Sequence, residues 1–125
     1  MITRQLFTIS TDTGTQGDTG PPFHGEVAQM RWNPTTADTG GDLAITLLPK
    51  TADTGDGFQF FNDNDCLGVN FNRVPVQQMH HEDGRDTGAA IDAPIVGAGD
   101  RLRVKVTPGG AALAGRLYVW IRSND

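Results

Sequence analysis

Apolar and polar residues alternate along most of the chain, the period of strands with one face buried and one in water. The clearest run is Arg101–Val106, where Leu102, Val104 and Val106 fall on one side and Arg101, Arg103 and Lys105 on the other. In Arg116–Arg122, Leu117, Val119 and Ile121 share a face, and Tyr118 and Trp120 share the opposite one with Arg116 and Arg122. Pro108-Gly109-Gly110 and a small-residue stretch ending at Gly115 separate the two runs, which predicts antiparallel strands joined by an enlarged hairpin loop. Earlier strands are predicted over Gln5–Ser10, Glu26–Trp32, Asp42–Leu48, Gly57–Phe61, Cys66–Phe71 and Arg73–Met79. Ala28, Met30 and Trp32 should face inward with Gln29 and Arg31 outward, and Leu43, Ile45 and Leu47 should also face inward. Pro75 marks an edge strand or a bend. No segment sustains a helical period. The expectation is an all-β chain, a single antiparallel β-sandwich of about eight strands, a number that suits a jelly roll, with long polar loops.

Two stretches read as irregular. Residues 11–25 carry almost no apolar side chain, so residues 1–25 are expected to form an N-terminal strand and polar arm ahead of a sandwich domain at 26–125. Residues 80–99 form a second long connection anchored by Ile91, Ile95 and Val96.

Composition strengthens the all-β reading. Of the 15 acidic residues 13 are aspartate, only two of the 10 basic residues are lysine, and 14 threonines accompany 16 glycines. These are turn and strand residues, while the helix formers Glu and Lys are nearly absent. Leu, Ile, Val and Phe total 28, enough to collapse a core. The net charge of -5 disfavours broad nucleic-acid binding, although the eight arginines can still form a local patch. No apolar run is long enough to span a membrane, and Met1–Phe7 lacks the apolar stretch and cleavage site of a secretory signal. Cys66 is the single cysteine, so no intrachain disulfide forms.

Asp-Thr-Gly occurs five times, beginning at Asp12, Asp18, Asp38, Asp53 and Asp86. An aspartic protease carries its catalytic carboxylate in this triplet, and needs two such aspartates close enough to share a proton. Here the triplets follow Thr11, Gly17, Ala37, Ala52 and Arg85, without the apolar strand that would bury such a loop. Solvent-facing turns, with Asp accepting from a nearby backbone N–H and Gly at positive φ, account for them better. Asn62-Asp63-Asn64-Asp65 alternates oxygen donors as calcium favours, but lacks the glycine and distal glutamate of an EF-hand; a polar turn is the simpler reading. His80-His81-Glu82-Asp83 holds metal-type side chains, yet neighbours on an extended chain point oppositely, and only His24 is left as a further ligand. Cys66 beside Leu67 reads as a small buried side chain. No catalytic, cofactor or metal site is therefore predicted, and no enzyme. Tyr118, Trp120, Arg116 and Arg122 read equally well as an interface or as a second layer under a long loop.

The segments Arg31–Gly40, Asp53–Phe58, Asn62–Leu67 and Gly99–Gly110 resemble small structural proteins of tailed bacteriophages, over about two thirds of the chain. Within that group the chain is most similar to head decoration (cement) proteins. The resemblance implies a β-rich virion protein, often trimeric, on the capsid exterior with the major capsid protein as partner, made in the host cytoplasm and contacting neither membrane nor nucleic acid. It carries no site residues. Strand addition by residues 1–10 to a capsid edge, with 11–25 as tether, is one mechanism consistent with it. The alternative is a tail, baseplate or head-fibre sandwich that binds host glycans through Trp32 or Trp120; a small-virus jelly-roll capsid protein fits the length less well.

Overall fold

The structure, a computed structural model, describes residues 1–11, 14–36, 41–49, 57–64, 66–79, 91–109 and 112–123. Among these the chain forms only strands: β1 (Ile2–Thr11), β2 (Gln16–Thr19), β3 (Phe23–Thr36), β4 (Asp42–Leu48), β5 (Phe58–Asp63), β6 (Phe71–Arg73), β7 (Val76–Met79), β8 (Ile91–Pro94), β9 (Val96–Thr107) and β10 (Leu113–Arg122). Eight join one antiparallel sheet in the order β1-β10-β3-β9-β4-β5, with β2 on β9 and β6 on β3; β7 and β8 pair separately. The all-β sandwich expected from the alternation is the fold.

β9 is where the sheet turns from one layer to the other. Val96–Asp100 pairs with β3, and Arg101–Thr107 pairs with β4. Phe23 faces Asp100 and His24 faces Ala98, so Gly99 is an extra residue, a bulge that bends the strand. Its φ of 87° suits glycine, and the Asp100 carboxylate accepts from Ala98 N at 2.7 Å across the bend. One layer is thus β1, β10, β3 and β6; the other is β2, the second half of β9, β4 and β5. Their inner faces meet in one core: Phe7 and Ile9 from β1, Val27, Met30 and Trp32 from β3, Leu117, Val119 and Ile121 from β10, against Leu43 and Ile45 from β4 and Leu102, Val104 and Val106 from β9. Each fully buried aliphatic side chain contributes about 1.5–3 kcal/mol through surface removed from water. Trp32 is the largest of the fully buried side chains, and its indole N–H donates to Leu67 O at 3.0 Å, so its polar atom is satisfied in the core.

Several expectations are corrected. The runs at 101–106 and 116–122 are not a hairpin: β9 pairs with β3, β4 and β2, whereas β10 pairs with β1 and β3, because the chain changes layer between them. Residues 66–70 are not a strand but a turn docked on the core, with Cys66 N and Leu67 N both donating to Gly41 O; only Phe71–Arg73 pairs, with β3. Val27, not Ala28, joins Met30 and Trp32 inside, because a bulge leaves Ala28 unpaired between Gln29–Trp120 and Val27–Ile121. Leu48 is fully buried and Leu47 only half-buried, and Val96 is exposed while Ile95 is the buried anchor. The boundary at 25/26 falls inside β3. Nor is the N-terminus a free arm. All ten residues of β1 pair with β10, β2 pairs with β9, and Gly20 N donates to Leu102 O.

Candidate functional site on the outer face of the β10 layer

The outward residues of three adjacent strands lie in rows set by the register. Tyr118 stands between Leu6 of β1 and Arg31 of β3, and Trp120 between Arg4 and Gln29. Arg116 stands between Thr8 and Asn33, and Arg122 between Ile2 and Glu26. Four of the chain's eight arginines therefore share one sheet face with two aromatic rings and one carboxylate. On a chain of net charge -5 that face is locally cationic.

The contacts run along the diagonals of the ladder, where long side chains reach one another. Tyr118 and Trp120 are half-buried and stack at 5.9 Å with 25° between their planes. The Arg4 guanidinium lies 5.0 Å from the Tyr118 ring centre, and that of Arg31 lies 5.6 Å from Trp120. Such cation–π contacts contribute about 0.5–1 kcal/mol each at exposed sites. Asn72 on β6 fixes the far side: its Oδ1 accepts from Arg31 Nε at 2.8 Å and from Gln29 Nε2 at 3.1 Å. Arg122 Nη1 meets Glu26 Oε1 at 2.6 Å, which neutralises one of the four cations. The result is an aromatic-centred surface on which Arg4, Arg31 and Arg122 are held by neighbouring side chains.

The other sequence candidates do not converge on it. Asp18, the one described Asp-Thr-Gly aspartate, lies not in a turn but in β2, opposite Val104, and its Oδ2 accepts from Gln16 Nε2 at 2.8 Å. Asp12, Asp38, Asp53 and Asp86 lie outside the described residues, as do Asp65 and the whole His80–Asp83 cluster. Asp63 ends β5 and faces Arg73 at 3.6 Å, both side chains being about half exposed. His24 is exposed on β3. Among the described residues no group of three or more His, Cys, Asp or Glu side chains is placed to hold a metal. Burial, reinforced by the nearby Asp63 carboxylate, pushes the Cys66 thiol up to about 11, so it stays protonated at neutral pH and is a poor nucleophile. Among the described residues no helix is long and apolar enough to cross a membrane.

The sequence run 116–122 displayed half of this face; it did not display Arg4, Arg31 and Asn72 beside it, because those neighbours follow from pairing. The outward placement of Gln29 and Arg31 was the available signal.

No protein-family model matches the chain, and no curated protein matches it. A solved structure of the Gx strain of infectious bursal disease virus contains a chain that is 12% identical, with a TM-score of 0.30. The similarity covers 98% of this chain and 33% of that one, so this chain spans about a third of the length of the viral protein. A likeness this weak carries no argument about function.

Proposed function

We propose that the protein is a virion structural component, a head decoration (cement) protein that binds the outer capsid surface through the outer face of the β10 layer and stabilises the head. The observation that carries the reading is the arginine-flanked Tyr118–Trp120 pair on an otherwise acidic chain. Aromatic and arginine side chains dominate protein interfaces, since rigid rings bury much area at little entropic cost and guanidinium groups engage carboxylates bidentately. The partner is accordingly an acidic patch on the major capsid protein, and the resemblance to tailed-phage structural proteins supplies the setting. Binding is the role, with no catalytic step, cofactor or metal, on the particle exterior. This reading replaces strand donation by an N-terminal arm, since β1 already belongs to the sheet.

The test is location and contact. The chain should be found on the outside of purified particles, and the purified protein should co-sediment with heads that lack it. Arg31→Glu or Trp120→Ala should release it from the heads. Trp120-dependent binding on a glycan array without binding to heads would support a host-glycan module instead. Salt-sensitive binding to single-stranded oligonucleotides, which also stack on aromatic–arginine surfaces, would count against the proposal.

A further inference from the structure

Among the described residues β1 ends its layer, and one side of its backbone has no neighbouring strand in the sheet. In an antiparallel ladder successive residues present their N–H and C=O groups to opposite sides. Ser10 N donates to Gln16 Oε1 at 3.1 Å, away from β10, while Met1 O accepts from Ser123 N at 2.9 Å on the β10 side. The even-numbered residues therefore face the open edge. Gln16 occupies that edge at Ser10, leaving Ile2, Arg4, Leu6 and Thr8 with backbone groups directed outward. A groove of about 420 Å³ follows the same stretch, between Arg4–Thr8 and Asp18–Pro21 of the opposite layer. Leu6 lines it and is 47% exposed, and Ile2, farther along the same strand, is 59% exposed. Gln5 turns inward, its Nε2 donating to Pro21 O of the same chain at 3.3 Å. An exposed edge with apolar side chains is a template for another strand.

We propose that this edge pairs with the same edge of a second copy, antiparallel, across a two-fold axis through Gln5. In that register Ile2 faces the partner subunit's Thr8, and Arg4 faces the partner subunit's Leu6. All four outward residues are paired, Ser10 is left to Gln16, and no two arginines oppose each other. A register centred on Leu6 would require Ser10, which Gln16 already holds. The two Gln5 side chains become a non-hydrogen-bonded pair with Cβ atoms about 4.5–5.5 Å apart. The pairing is isologous and closes on two copies, in place of the three the resemblance implies. It also joins two arginine–aromatic faces into one continuous surface, but it stands independently of the docking reading.

Light scattering on the full chain should give twice 13.4 kDa. Leu6→Pro should halve that mass with an unchanged β-sheet circular dichroism spectrum, because the Leu6 N–H points away from β10 and its loss breaks no internal bond. Leu6→Lys, an exposed substitution, should do the same and decides the matter if the proline variant does not fold. In a Cys66→Ser background, Gln5→Cys should form a disulfide-linked dimer on mild oxidation, whereas Leu6→Cys should not. A wild-type monomer or trimer, a dimer that survives Leu6→Lys, or cross-linking through Leu6→Cys in preference to Gln5→Cys would overturn the proposal.

Discussion

The two faces of the β10 layer are made by the same strands, one residue out of step. Inward lie Met30, Trp32, Leu117, Val119 and Ile121, all at 1% exposure or less. Outward lie Arg31, Arg116, Tyr118, Trp120 and Arg122. The inner face is held by packing in which any side chain of the right volume and shape suffices. The outer face contains large rings and guanidinium groups that the fold does not require, since small polar residues would cover that surface equally well. On the outer face of the β4 layer the rows Gln59–Thr46–Arg103 and Asn62–Ala44–Lys105 carry cations but no aromatic ring. Alternation alone therefore explains which residues point outward, but not why those of β10 are aromatic. That excess is what supports the proposal that the face is a contact surface.

The two tryptophans give the largest expected contrast. Trp32→Ala empties the core and orphans Leu67 O, and should cost about 3–5 kcal/mol in urea unfolding. Trp120→Ala should cost less than about 1.5 kcal/mol by the same assay while removing binding to heads, since it loses ring stacking and little buried volume. Equal destabilisation by the two would erase the distinction between the faces. A double-mutant cycle on Arg31 and Trp120 should return a coupling of about 0.5–1 kcal/mol, and zero coupling would mean the guanidinium is not held by the ring. Cys66 packs against the inner side and sharpens the comparison further. Its raised titration point means that its contribution to stability is complete below the ordinary thiol value of 9.0 and is lost as pH rises through about 11. Iodoacetamide should accordingly label native Cys66 far more slowly at pH 8 than the unfolded chain, and equal labelling rates would contradict its burial. The smallest effect belongs to Arg122 and Glu26. Glu26→Gln should change stability by only about 0.2–1 kcal/mol, falling further in high salt.

Much of this was legible in the sequence wherever strands are straight. The inward sets Leu102–Val104–Val106 and Leu117–Val119–Ile121 follow from a two-residue period, and the limits of β4 coincide with the predicted Asp42–Leu48. The period fails where a residue is inserted. The bulge at Ala28 exchanges its place with Val27, and the bend at Gly99 sends β9 to a different layer from β10. β2 was invisible because Gln16-Gly17-Asp18-Thr19 has no apolar side chain; its place follows from pairing with β9. The candidate site was half legible for the same reason. One strand shows Tyr118 and Trp120 with their flanking arginines, but Arg4, Arg31 and Asn72 come from positions distant in sequence and meet there only through register.

The central claim is that the outer face of the β10 layer is the contact surface. Co-sedimentation of wild-type and Trp120→Ala protein with undecorated heads, at matched stability, tests it most directly. The account predicts that wild-type protein binds and that the substitution weakens binding by about tenfold or more, the effect of a central aromatic contact. Binding of the Trp120→Ala protein at the wild-type level would contradict it.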